Sequence, residues 1–128
     1  MHKGFLKAAA ISGAIAVILG AFAAHTLKEK LAPDALQIFE TAVRYQFYHV
    51  FVLLAVGILY KDLACGCLKW SGRLFIIGQI LFSGSLYVLT YTKYANLSMK
   101  WIGPITPIGG AAFIAGWVCL FIALAKKN

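Results

Sequence analysis

The stretch FLKAAAISGAIAVILGAFAA, from Phe5 to Ala24, carries one charge, Lys7, in twenty residues. A helix rises about 1.5 Å per residue, so about twenty residues cross a hydrocarbon core roughly 30 Å thick. The segment therefore reads as a membrane span, and three more of its kind follow: about Phe47 to Tyr60, about Trp70 to Thr92, and about Pro107 to Ala125. The second is short alone, but its helical pattern extends backwards, which makes the expected spans 5–24, 40–60, 70–92 and 107–125. Residues 1–128 then form a single four-span transmembrane domain. Lys3, Lys7 and Ala21-Phe22-Ala23 give the first segment the look of a cleaved signal peptide. The length of its apolar run and the three spans behind it favour its retention as a span.

Composition points the same way. Hydrophobic residues make up 62% of the chain and charged residues 12%. A soluble domain is about half apolar and about a quarter charged. There is too little polar surface here to meet water on all sides, so the expected class is all-α, an integral membrane four-helix bundle. The net charge of +8 comes from twelve Lys and Arg against four Asp and Glu. These basic residues stand at the ends of apolar runs, where they anchor to headgroups, so no nucleic acid partner is expected. Cys65, Cys67 and Cys119 make no disulfide framework, and a lone CxC lacks the further ligands of a closed zinc site.

Ahead of the second span, Pro33 suits a first helical position and Asp34 the positive end of a helix dipole. Leu36, Phe39, Val43 and Phe47 recur at spacings of three and four, with Gln37, Glu40, Thr41 and Arg44 on the other face. The pattern predicts an amphipathic helical extension that runs straight into the span. Glu40 and Arg44 are one turn apart and are expected to pair. With four spans, one side carries Lys3, Lys7, Lys61, Lys69, Arg73, Lys126 and Lys127, and the other Lys28, Lys30, Arg44, Lys93 and Lys100. The excess of seven over five places both termini in the cytoplasm by the positive-inside rule. Tyr60, Trp70, Tyr91, Tyr94 and Trp101 fall near the span ends, as interfacial aromatics do.

Lipid tails are as apolar as leucine, so helices in a bilayer associate through close packing of small residues. Ala9, Gly13, Ala16 and Gly20 form one smooth face of the first span. Gly78 and Ser85 lie seven apart in the third, and Gly109, Gly110, Ala112 and Gly116 line the fourth. All are expected at helix contacts.

Polar residues inside the membrane are costly and carry the functional signal. His25 follows the first span, and Arg44, Tyr45, Gln46 and His49 open the second. Ser83, Ser85 and Tyr87 lie late in the third, and Thr106 precedes the fourth, where it suits an N-cap with Pro107 at the first helical position. All map to the extracytoplasmic half, and Gln79 stands nearly alone in the inner half. Two readings compete. In one, these groups satisfy one another and cap helix ends. In the other, His25, Arg44, Tyr45, His49, Ser83, Tyr87 and Thr106 surround an anionic lipid or small ligand, helped by the free N–H groups of the fourth helix. Two histidines on adjacent helices also raise haem ligation, with no other feature in support.

Four stretches carry a resemblance: Gly20-Ala21-Phe22-Ala23-Ala24-His25, Val43-Arg44-Tyr45-Gln46-Phe47-Tyr48-His49, Phe82-Ser83-Gly84-Ser85-Leu86-Tyr87, and Gly103-Pro104-Ile105-Thr106-Pro107-Ile108-Gly109-Gly110. Together they resemble the uncharacterised YgdD-like or YwdK-like family of small four-span inner-membrane proteins, a domain of unknown function. Ala23 departs from the pattern where a second glycine is expected. The resemblance implies a four-helix membrane fold in the plasma membrane and transfers no reaction, cofactor or catalytic residue.

Function classes narrow accordingly. The first is a non-enzymatic membrane protein binding a lipid, an anionic ligand or a membrane partner. The second is a small transporter or channel subunit acting as a homo-oligomer, since the apolar inner half offers no polar path through a monomer. An enzyme is not expected, because no paired carboxylates, nucleophile–base pair or metal set stands out, and no cofactor is expected either.

Overall fold

In a computed structural model, which describes residues 1–126, the chain folds into an antiparallel helical bundle. Among those residues four helices are long and apolar enough to cross a membrane. They are α1 (Lys3–Lys30), α2 (Pro33–Leu59), α3 (Gly66–Tyr94) and α4 (Ile105–Ala125), the last preceded by a 3₁₀ turn at Lys100–Ile102. Lys127, counted above with the cytoplasmic charges, lies outside the described residues. The amphipathic extension and the second span are one continuous helix, with Pro33 in its first turn and Phe39 and Val43 buried.

Each helix outruns the apolar stretch that announced it, because the backbone keeps its hydrogen bonds after the side chains turn polar. α1 continues through a π turn at Ala23–Leu27 to Lys30. α3 starts at Gly66, where the Cys65 sulfur accepts the Leu68 N–H at 3.4 Å and acts as the cap. It ends where Asn96 takes φ 53°, with the Leu97 N–H donating to the Thr92 carbonyl at 2.9 Å. That six-to-one bond around a left-handed residue is the Schellman termination, with asparagine in the place usual for glycine. α4 begins at Ile105, so Thr106 is not its N-cap and Pro107 lies in the first turn rather than at its first position. The missing N–H of Pro107 is harmless there, since the first four N–H groups of a helix have no internal acceptor.

α1 packs along α2, α2 along α3, and α3 along α4. The small face of α1 meets α2 as expected: Ala9 and Ala16 are fully covered, and Gly13 and Gly20 face Val50 and Val43. Those two glycines still have room, since an added methyl would sit 3.4 and 3.5 Å from the valines. The tighter crossings lie elsewhere. At Gly109 a methyl would strike the backbone of Leu81 and Phe82, and at Gly78 the ring of Phe113. Gly116 meets Phe75 and Leu74. Gly57 against Leu6 and Gly72 against Phe5 are close approaches that no sequence pattern marked. Gly110, expected at a contact, has only the Phe82 ring at 3.8 Å. The Leu81–Phe82 backbone that abuts Gly109 belongs to a π turn in α3, Gln79–Ser83.

Hydrogen bonds fix the rotation of the helices. The Ser71 hydroxyl donates to the Gly116 carbonyl and the Ser83 hydroxyl to the Ala42 carbonyl, both at 2.8 Å. Ile18, Ile114 and Phe121 stand exposed on the outer surface, where the bilayer covers them. Trp70, Tyr91, Tyr94 and Trp101 are exposed near the helix ends, and the Arg73 guanidinium lies 5.2 Å over the Trp70 ring.

Gly109→Ala is expected to lower thermal stability in detergent by about 1–3 kcal/mol, because backbone cannot yield as a side chain does. Gly110→Ala, one residue on, should change it little. Equal tolerance at both positions would contradict the close crossing of α3 and α4.

Candidate functional site

The polar residues of α2 do not converge, and helix geometry explains why. Successive residues on a helix point about 100° apart, so only residues three or four apart share a face. Arg44, Tyr45, Gln46 and His49 therefore turn to different neighbours.

His49 turns to α4. It is buried, stacked on Phe113 with ring centroids 3.5 Å apart, and its Nε2 lies 3.2 Å from the Trp117 indole nitrogen. An indole N–H only donates, so Nε2 is the acceptor and Nδ1 carries the hydrogen. Nδ1 in turn sits 2.7 Å from the Tyr45 carbonyl and donates to it. Both ring nitrogens are occupied, and the haem reading finds no free imidazole nitrogen here. Tyr45 itself is half-exposed beside Phe82, with centroids 4.7 Å apart.

Arg44 and His25 are exposed, and neither is within bonding distance of the His49 ring. Arg44 lines a shallow hollow with Gly20, Ala24 and Glu40. The expected Glu40–Arg44 ion pair is not formed. Among the described residues the one ion pair joins Lys93 of α3 to Asp34 of α2 at 3.0 Å, at the end of the bundle opposite the N-terminus. Both partners are long or flexible and face solvent there, which suits a loose clasp better than a buried pair. Thr106 meets Ser85, hydroxyl to hydroxyl, at 2.6 Å. Ser83 is spent on the Ala42 carbonyl. Of the seven sequence candidates, the structure brings Tyr45 to His49 and leaves the rest in separate places.

Tyr87 leads to what the sequence reading missed. Its hydroxyl donates to Gln46 Oε1 at 2.6 Å. Gln46 Nε2 donates to the Ser12 carbonyl at 2.9 Å and to the Ser12 hydroxyl at 3.2 Å. The Ser12 hydroxyl donates onward to Gln79 Oε1. Three helices are tied by this chain of two carboxamides and two hydroxyls. The chain floors a cleft of about 490 Å³ between α1 and α3, with Ile11 and Ile15 on one wall and Ile76, Ile80 and Gly84 on the other. The cleft opens sideways, toward the bilayer. A second hollow of about 300 Å³ shares Tyr87 and reaches Lys30, Tyr91 and Tyr94. Gln79 was visible in the sequence as the lone inner polar group, and Ser12 gave no signal at all.

Depth can be read from the helices. Gln79 lies nine residues above Trp70 and twelve below Tyr91, about 13 Å and 18 Å along the axis. Gln79 therefore sits near mid-depth, and the network rises from it to Tyr87, about 12 Å nearer the Tyr91 end.

These features define a small multi-pass α-helical membrane protein with a polar-floored lateral cleft. Residues 19–110 match the family model described as protein of unknown function (DUF423). The chain is 41% identical over 125 residues to UPF0382 membrane protein YwdK of Bacillus subtilis, covering 97% of this chain and 98% of that protein. It is 41% identical over 124 residues to a UPF0382 membrane protein of Staphylococcus aureus, 97% of each chain. A UPF0382 membrane protein of Haemophilus influenzae is 40% identical over 129 residues, 100% of this chain and 98% of that one. The chain belongs to this DUF423/UPF0382 membrane protein family. No solved structure matches it.

Removal of the His49 ring should cost more than removal of either exposed cation. His49→Ala leaves a cavity and an unpaired indole N–H, together about 3 kcal/mol of stability. His25→Ala and Arg44→Gln should stay within about 0.5 kcal/mol, as surface changes do. Thermal unfolding of the three variants in one detergent checks the order.

Proposed function

We propose that the protein is a non-enzymatic binder of a bilayer-dissolved ligand, a lipid in the broad sense, held in the lateral cleft between α1 and α3. The observation that carries this reading is the cleft itself: apolar walls over a hydrogen-bonded polar floor that reaches mid-depth. Its size falls in the range of small-molecule sites, which run from about 300 to 1,000 Å³. A ligand reaches such a site from the membrane, not from water. The adjoining hollow near Lys30, Tyr91 and Tyr94 offers an amphipathic ligand a place for its polar end at the interface. The non-enzymatic character rests on how the polar groups are used. The hydroxyls of Ser12, Ser71, Ser83 and Tyr87 all donate to carbonyls or carboxamides, and none stands beside a general base.

The same proposal places the chain in the plasma membrane with both termini cytoplasmic. Its support is the excess of Lys and Arg near the two termini and around the α2–α3 turn, where Lys61, Lys69 and Arg73 lie. In a chain with Cys65, Cys67 and Cys119 replaced by serine, a cysteine at Asn96 should react with an impermeant maleimide added to intact cells, and one at Lys61 should not. The reverse pattern would invert the orientation.

Gly84→Phe tests the cleft. Gly84 lines it, sits in regular helix, and an added Cβ meets no atom within 4 Å. The phenyl ring should fill the cleft and lower co-purifying lipid severalfold, with the melting temperature unchanged or raised. Undiminished lipid in a folded Gly84→Phe protein would remove the cleft from consideration.

A further inference from the structure

Of the two polar side-chain atoms of Gln79, one is hydrogen-bonded. Its residue is 9% exposed, its Oε1 accepts from Ser12, and among the described residues no acceptor lies within bonding distance of its Nε2. Every fully covered side-chain nitrogen or oxygen among those residues has a partner, so Nε2 is not sealed in the core. It reaches the cleft that Gln79 lines. The Ser12 hydroxyl accepts from Gln46 Nε2 and donates its hydrogen to Oε1 of Gln79, which turns the Gln79 Nε2 away from Ser12. The cleft thus presents an N–H₂ donor near mid-bilayer, where water does not supply an acceptor and an unmet polar group costs several kcal/mol.

We infer that the ligand of the cleft is an isoprenoid quinone whose ring carbonyl accepts from Gln79 Nε2. This rests on the cleft-binding reading above and sharpens it. The donor calls for an acceptor that is uncharged, apolar apart from that atom, and at home in the hydrocarbon. Phospholipid ester carbonyls stop near the interface, about 15 Å from the midplane of a 30 Å core, and do not reach Gln79. A sterol or fatty hydroxyl is held at the same level by water. A quinone ring carries its carbonyls on an apolar body that enters the core, and its branched chain matches the walls formed by Ile11, Ile15, Ile76 and Ile80. The proposal is binding only and asks for no electron transfer.

The test uses the full chain in detergent, titrated with menaquinone-4 and with squalane, an isoprenoid hydrocarbon without a carbonyl. One hydrogen bond corresponds to about a three- to tenfold difference in affinity. The wild-type protein should hold menaquinone-4 that much more tightly than Gln79→Leu does, while squalane binds both alike. The infrared carbonyl stretch of bound menaquinone-4 should shift to lower frequency in the wild type and return in Gln79→Leu. That shift is read on the wild type alone, so it decides the matter even if the variant fails to fold. An unshifted carbonyl, or equal affinity for quinone and squalane, overturns the quinone assignment. If phospholipid is then still displaced by Gly84→Phe, the cleft reading survives without it. If menaquinone-4, squalane and phospholipid all fail to bind, both fall together.

Discussion

A polar group in hydrocarbon has no water to turn to, and the arrangement of these four helices follows from that constraint. Helices in lipid gain nothing from hiding leucine, so contact must come from close approach and from internal hydrogen bonds. Both are visible at each interface. α3 and α4 touch backbone to backbone at Gly109, and the Ser71 hydroxyl reaches across to the Gly116 carbonyl beside them. α2 and α3 are joined by Ser83 on the Ala42 carbonyl and by Tyr87 on Gln46. Interhelical bonds of this kind average about 0.6 kcal/mol, so none of them holds the bundle alone. Their effect is rotational: each hydroxyl has one acceptor, and a helix turned by a single residue would leave it unmet.

That same constraint explains what could be read from the chain and what could not. The four spans and the extension before the second are statements about composition and period, and both survive averaging over twenty residues. Leu36, Phe39 and Val43 share a face whatever they touch. The polar site is a statement about single residues in three dimensions. Arg44, Tyr45, Gln46 and His49 are neighbours in sequence and strangers in space, because each step of the helix turns by about 100°. Grouping them by position along the span kept their depth and discarded their direction. Ser12 is one serine in an apolar run, and nothing nearby in sequence says that Gln46 lies opposite. Trp117 lies within an apolar run and carries no signal in the sequence, yet its indole N–H fixes the tautomer of His49. The glycines show the same divide. Gly13 and Gly20 form an obvious stripe but leave room for a methyl, whereas Gly57 and Gly72 belong to no stripe and meet Leu6 and Phe5 at once.

A transporter or channel would need polar groups strung from one face to the other. The chain here loops across the bundle instead, from Tyr87 through Gln46 and Ser12 back to Gln79 on the same helix, and does not reach from face to face. Below it, Ser71 is fully buried and committed to α4. A homo-oligomer could not extend the path simply by joining copies at the exposed faces of α1 and α4, which are isoleucine, valine and phenylalanine.

The position of α1 couples the cleft to the bundle. α1 rests on α2 through its small face, and toward α3 its one hydrogen bond is Ser12 to Gln79. Near the start of α1, Phe5 wedged on Gly72 adds a second tie to α3, while Leu6 on Gly57 and the covered Ala9 and Ala16 hold α1 to α2. α3 is pinned on its other side by the Gly109 crossing, so the cleft lies between two held walls. The polar floor belongs to both, since Ser12 moves with α1 and Gln46 and Gln79 stay with α2 and α3. Under the binding reading proposed above, an occupant that spread the cleft would act first on Ser12, which bonds both carboxamides, and through it on α1, whose far end carries Lys28 and Lys30.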